Sequence, residues 1–281
     1  MAHSKKRRFA KELIKVLKLS SIQLKLYPLS VESEFSNIDL DRINRLRSLF
    51  PLNITKEVVW KRFGSRFDGG YLLVDDISKS DICISLGVGD NFSFDLDMSA
   101  RCHEVLMFDH TIDAPEISAR NVTFNKIGIS TNLTPGFTTL EKILDTIPGG
   151  SDLILKIDIE GTEWDVFDAI SEESLIRFRQ IIVEFHELFQ IGNLVQFQKM
   201  LNGLTKISRT HHLMNFHTNN WADFHVINGV PFSDVIEATY LRREPEDPRS
   251  YQIVPLTRTL NDPNNQDLPD YDPNFLSFVE I

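Results

Sequence analysis

The chain has 281 residues, 42% hydrophobic and 25% charged, the composition of an ordinary globular protein. Its formal charge of −10 excludes a general nucleic-acid binder, which needs a basic face to neutralise phosphates. Two cysteines, Cys83 and Cys102, are too few for a disulfide framework, and no stretch approaches the ~20 apolar residues that span a bilayer.

The charge is uneven. Residues 1–25 hold eight Lys/Arg against Glu12, which leaves −17 for the remainder. Within this basic arm Phe9, Leu13 and Leu17 share one side of a helical pattern with lysines largely opposite. Such an arm can lie on an anionic membrane surface, serve as an oligomer contact, or stay solvated. Its lysines also break the apolar core a secretory signal needs, so a cytoplasmic protein is expected. Ile38, Leu40, Ile43, Leu46 and Phe50 give a second amphipathic helix over 36–50, ended by Pro51. From Val58 short apolar strands alternate with helices. The predicted strands are Ile82–Leu86, Val105–Phe108, Val122–Ile127, Leu153–Ile157 and Ile181–Phe185. The predicted helices are Leu140–Ile147, Trp164–Ile170 and Leu194–Leu204. This alternation specifies an α/β fold with a mostly parallel sheet. Leu213–Phe216, Phe224–Ile227 and Val235–Leu241 follow without helices and suit antiparallel final strands. The chain thus divides into a helical extension (1–55), a main domain (56–257) and an irregular tail (258–281), expected on the surface.

The first long strand runs into Gly87-Val88-Gly89-Asp90, where two glycines allow a tight turn and close approach of a ligand to the main chain. Asp109 ends the next strand, the place where a carboxylate accepts hydrogen bonds from a ribose diol. Phe92 stands where a dinucleotide fingerprint carries its third glycine, and no helical Tyr-x-x-x-Lys pair occurs. A nicotinamide-dependent oxidoreductase on a nucleotide sugar is therefore the secondary reading, with a non-catalytic binding module the third. Upstream, Arg62 and the loop Asp68-Gly69-Gly70 offer a cationic side chain and backbone donors for a carboxylate or the substrate. A plain β-turn at Asp68-Gly69 is the structural alternative.

Asp158 and Glu160 end the strand Leu153–Ile157, two residues apart and hence on one side while extended. Glu184 and His186 repeat the spacing on the next strand, as do Asn215 and His217 further on. Carboxylates gathered at adjacent strand ends repel one another, and a divalent cation (Mg²⁺ or Mn²⁺) on Asp158, Glu184 and His186 would relieve that repulsion. It would also acidify an acceptor hydroxyl. His217, with an ordinary pKa of about 6.5, is the expected general base, with His186 as substitute and Glu160 a third candidate. The structural alternatives are helix capping by Glu160 and hydrogen-bonded core histidines.

With these residues in view, Leu155-Lys156-Ile157-Asp158-Ile159-Glu160-Gly161-Thr162-Glu163-Trp164 resembles the "KIDVEGxEW" signature of FkbM-type methyltransferases. One branch of that family is similar also in Arg62–Tyr71, Glu184-Phe185-His186 and His217-Thr218-Asn219-Asn220. The resemblance covers roughly residues 58–243. It implies a Rossmann-like class I methyltransferase sheet, S-adenosylmethionine as cofactor, and methylation of a hydroxyl on a sugar or glycan acceptor. Ser85 stands where many methyltransferases carry an acid, a departure near the methionine end.

Overall fold

The computed structural model describes residues 40–222, 224–227, 230–254, 261–268 and 270. The expectations for the basic arm, and for 258–260, 269 and 271–281 of the tail, lie outside the described residues. A helix α1 (Leu40–Arg47) leads to a short strand β1 (Leu52–Ile54) and a hairpin of β2 (Trp60–Gly64) and β3 (Gly70–Val74). Next come β4 (Ile82–Leu86), α2 (Ser93–Ser99), β5 (Glu104–Phe108), β6 (Val122–Asn125), a two-residue pair β7 (Gly128–Ile129) with β8 (Phe137–Thr138), and α3 (Leu140–Leu144). The second half holds β9 (Leu153–Ile157), α4 (Glu163–Ala169), α5 (Glu172–Leu175), β10 (Phe178–Phe185) and α6 (Leu194–Thr210). It ends in β11 (His211–Thr218), the hairpin β12 (Phe224–Ile227) and β13 (Val230–Ser233), β14 (Ile236–Arg242) and β15 (Gln252–Val254).

One sheet organises the described residues, in the order β15-β1-β11-β14-β10-β9-β4-β5-β6. Strands β10, β9, β4, β5 and β6 are mutually parallel, whereas β14 runs antiparallel to both its neighbours. This is the Rossmann-like class I arrangement that the resemblance implied. Two details differ from the sequence expectation. Leu52–Ile54, assigned to the extension, is a sheet strand beside β11, paired there by main-chain register rather than by an apolar run long enough to read. Phe224–Ile227 is a strand, but among the described residues it pairs only with β13, in a hairpin outside the main sheet.

Both faces of the central strands are covered, which is why they read as continuous apolar runs. Ile82, Ile84, Leu155, Ile157, Val183 and Phe185 point to the face where Trp164 and Phe167 of α4 meet Met200 and Leu204 of α6. Asn193 caps α6, its Oδ1 accepting the N–H groups of Val195 (2.9 Å) and Gln196 (3.3 Å). Cys83, Ile154 and Ile182 point to the other face, under α2 and the β2–β3 hairpin. Strand alternation then dictates that Lys156, Asp158, Glu184 and His186 emerge on that hairpin-covered face.

Candidate active site

Strand register sets six functional positions in one crosswise row. Phe108 pairs with Leu86 and Leu86 with Ile157, so Asp109, Gly87 and Asp158 follow in line. Val183 pairs with Ile157, Glu184 with Glu237, and Glu237 with His217. The row therefore runs Asp109, Gly87, Asp158, Glu184, Glu237, His217 across six neighbouring strands, about 4.8 Å per step.

At the β4 end the chain turns through Gly87 (φ 73°) and Gly89 (φ 60°), both in the left-handed region. A Cβ on Gly87 would lie 1.7 Å from the Asp158 carbonyl oxygen, so that glycine is demanded by the approach of β9. A Cβ on Gly89 would have no protein atom within 4 Å, so that glycine borders open space. Asp109 turns inward: Oδ2 accepts the N–H groups of Val88 (2.8 Å) and Gly89 (3.0 Å), and Oδ1 accepts Thr111 N–H (2.7 Å) and Oγ1–H (2.6 Å). Against partial desolvation, these bonds hold its pKa down at about 2. Asp109 is thus the brace of the glycine turn, a task beyond the ribose contact expected of it. Asp90 is exposed beside the turn.

The Arg62–Gly70 loop closes the site from above. Arg62 donates to the carbonyls of Ser65 (2.8 Å) and Phe67 (2.7 Å), so it braces its own loop where a ligand clamp was expected. Gly69 and Gly70 permit the fold-back, since a Cβ on Gly70 would meet Ser65 O at 1.9 Å. The loop bridges a β2–β3 hairpin whose Tyr71 hydroxyl donates to Asp158 Oδ2 (2.9 Å). Asp68 sits exposed at the rim, its pKa raised by desolvation of the carboxyl and by the charge of Glu237.

In the middle of the row Asp158, Glu184 and His186 converge, with one ligand atom from each lying within 4.8 Å of the others. His186 Nδ1–H donates to Glu163 Oε1 (3.1 Å), which aims Nε2 at Asp158 Oδ1 (3.9 Å), Glu184 Oε1 (3.8 Å) and Glu160 Oε2 (3.5 Å). A carboxylate behind an imidazole is the usual outer support of a metal-ligating histidine. Glu163 is fully buried and also accepts Ile159 N–H (2.7 Å) and Gly161 N–H (3.0 Å). It thereby fixes the turn in which Glu160 (φ 56°) takes a left-handed conformation. Glu160 itself is 87% exposed and does not cap α4. Desolvation would lower the His186 pKa, but Glu163, Glu184 and Asp158 outweigh it and raise it to about 10. Burial, then Asp158 and Glu237, push Glu184 well up, while Lys156 and His186 keep Asp158 low against the desolvation of its carboxyl. Lys156 donates to Gly87 O and Asp158 Oδ2, tying the glycine turn to the acidic cluster. Asp95 of α2 is buried next to that lysine and supplies an acid near Ser85.

At the far end His217 is 2% exposed and clamped, Nδ1 to Glu237 Oε2 (3.3 Å) and Nε2 to Asp270 Oδ1 (3.1 Å). Despite desolvation these two carboxylates raise its pKa to about 9. At neutral pH it is an imidazolium with both nitrogens engaged, two strands from Glu184, and does not suit the general-base role that its ordinary pKa suggested. Tyr71, Glu163 and Asn219, whose Nδ2 donates to Glu184 Oε1 (2.8 Å), stood in the family-like segments without a role, and Glu237 and Asp270 were not singled out from the sequence. Glu237 escapes the strand-end rule because β14 runs backwards, placing its site residue near its start.

A family model, the FkbM methyltransferase domain, matches residues 78–219, just over half of the chain. A search of curated protein sequences returns no match. Among solved structures, the chain is similar to a Streptococcus mutans protein in complex with SAH (11% identity, TM-score 0.31, 59% of this chain and 89% of that one). It is also similar to an rRNA methylase from Streptococcus thermophilus (10%, 0.36, 60% and 90%) and spermidine synthase from Thermotoga maritima (8%, 0.32, 68% and 72%). The glycine turn, the acid beside it and the matched domain lead to one assignment: the chain belongs to the FkbM methyltransferase family, enzymes dependent on S-adenosylmethionine.

Proposed function

We propose that this methyltransferase acts on a hydroxyl oxygen of a sugar or glycan and uses a divalent cation, Mg²⁺ or Mn²⁺, held by Asp158, Glu184 and His186. The observation that carries the reading is the convergence of those three side chains one strand from the cofactor turn. Their chemistry suits a cation: two carboxylates, Glu184 buried and Asp158 partly so, with an imidazole whose Nδ1 is anchored on Glu163 and whose Nε2 would give up its proton to the ion. When bound, such an ion would polarise an acceptor hydroxyl and stabilise its alkoxide.

The remaining steps belong to side chains. Gly89 and the backbone of the turn admit the cofactor, and Asp109 keeps that turn in shape. Lys156 sets the distance between the turn and Asp158. The acceptor oxygen forms a bond to the sulfonium methyl as the carbon–sulfur bond breaks, leaving S-adenosylhomocysteine. Glu160, exposed at the mouth and 3.5 Å from His186, is the carboxylate that takes the hydroxyl proton out to solvent. Among the described residues no helix is long and apolar enough to cross a membrane.

The test joins turnover with ion binding. Methyl transfer to a panel of glycans should vanish in EDTA and return with Mg²⁺ or Mn²⁺. His186→Ala should lose at least tenfold in ion affinity by calorimetry. Full activity in EDTA removes the metal; methylation of no hydroxyl-bearing acceptor removes the sugar.

A further inference from the structure

The segment His217-Thr218-Asn219-Asn220 carries out a task that methyl transfer does not explain: it fastens residues 261–268 and 270 to the sheet. Asn220 Nδ2 donates to the carbonyls of Asn265 (2.8 Å) and Leu268 (3.2 Å), and its Oδ1 accepts Asn265 N–H (2.7 Å). Asn215 and Asn261 exchange amide hydrogen bonds (3.4 and 2.9 Å), and His217 holds Asp270. A stretch expected merely to lie on the surface is therefore docked by buried amides.

Asn264 reaches furthest in. Its Nδ2 donates to Glu237 Oε1 at 2.5 Å, and its amide also stabilises the Asp68 carboxylate. It is 3% exposed, and its Oδ1 has no hydrogen-bond partner among the described residues. A buried carbonyl oxygen without a donor is costly, and such an atom in a native fold calls for a missing partner. The partner must be a donor, because an amide oxygen only accepts, and the groups that share this amide, Glu237 and Asp68, are carboxylates. A carboxylate or phosphate brought to that oxygen would have no proton to give it and would lie beside the carboxylates of Glu237 and Asp68.

We propose that residues 261–268 and 270 form one wall of the acceptor subsite, and that Asn264 sets specificity by accepting a hydrogen bond from a hydroxyl next to the one methylated. The acceptor is then an uncharged vicinal polyol. This rests on the sugar O-methylation reading above and narrows it.

The full chain is assayed with labelled S-adenosylmethionine against methyl glucoside, mannoside and galactoside, their uronic acid counterparts, and monodeoxy analogues. SAH affinity and thermal midpoint are followed alongside. Neutral glycosides should be preferred at least tenfold over uronates. Asn264→Ala and Asn264→Ser should lower kcat/KM by about 10- to 100-fold, mostly through KM, on the acceptor with the neighbouring hydroxyl. On the analogue lacking that hydroxyl the loss should be within about twofold, with SAH affinity unchanged. Equal losses on both acceptors make Asn264 a folding residue and overturn the proposal, as does equal use of a uronate. If the wild-type chain binds SAH yet methylates no glycoside, the sugar reading falls and the subsite with it. If it methylates glycosides and the Asn264 variants discriminate as before, only the subsite falls.

Discussion

Replacing Gly87 and Gly89 by alanine, one at a time, separates the two reasons a glycine turn exists. Both residues are left-handed, which costs an alanine about 1–2 kcal/mol. At Gly89 nothing more is required, since the added Cβ has no protein atom within 4 Å. At Gly87 the Cβ would lie 1.7 Å from the Asp158 carbonyl oxygen, where contacts under 3.0 Å do not occur, so the ends of β4 and β9 must part. That strains the Asp158 N–H bond to Leu86 O (3.0 Å), worth about 1 kcal/mol, and adds an overpacking penalty of about 1–3 kcal/mol. Gly87→Ala should therefore lose roughly 4 kcal/mol and melt more than about 10 °C lower, whereas Gly89→Ala should melt within about 5 °C of the parent. Cofactor affinity should order the variants differently. Gly89→Ala, nearly as stable as the parent, should bind SAH at least tenfold more weakly by calorimetry, because its methyl enters the space a ligand needs. Undiminished SAH binding by Gly89→Ala, or a Gly87→Ala midpoint within two or three degrees of the parent, would refute the reasoning.

Two further outcomes concern stability. His211 is fully buried, its Nε2–H donating to Phe178 O (2.8 Å), and desolvation lowers its pKa to about 4. The unfolded chain takes up this proton near pH 6.5 and the folded chain only near 4, so stability present above 6.5 drains away between those values. The loss should reach about 3 kcal/mol in urea titrations and shrink in His211→Gln; a flat profile for the parent would count against it. Arg179 joins Asp76 (2.7 Å), the buried Asp81 and Asp152 (3.5 Å). Arg179→Met should cost about 3–5 kcal/mol by stranding Asp81, and adding Asp81→Asn should recover part of it. A double variant no more stable than the single one would contradict that account.

Periodicity made much of this architecture readable. Asp158 and Glu160, or Glu184 and His186, stand out because a two-residue spacing at the end of an apolar strand leaves few other orientations. The parallel sheet follows from strands buried on both faces. The omissions have physical causes too. Glu163 was passed over because it opens a helix, where acids are commonplace, yet its carboxylate is spent on two amides and an imidazole. The ring of His217 was assigned chemistry from its type and its strand-end spacing, and only the fold reveals the carboxylates on either side. Asn264 lies in an irregular stretch with no repeat to give it a direction. Strand β1 owes its place to backbone pairing with β15 and β11, which leaves little imprint on side-chain type.

The crosswise row is drawn from distant parts of the polypeptide, and that fixes a schedule. Gly87 and Asp109 are synthesised and paired early, whereas Glu237 must wait for Asn264 and His217 for Asp270. A ribosome emitting this chain from its amino end completes the nucleotide cradle once Asp158 has paired with Leu86, about 100 residues before Asn264 of the opposite wall. A nascent or prematurely terminated product would hold its methyl donor while having nowhere to seat a recipient. Shortened chains should therefore be recoverable on an SAH resin yet silent in turnover.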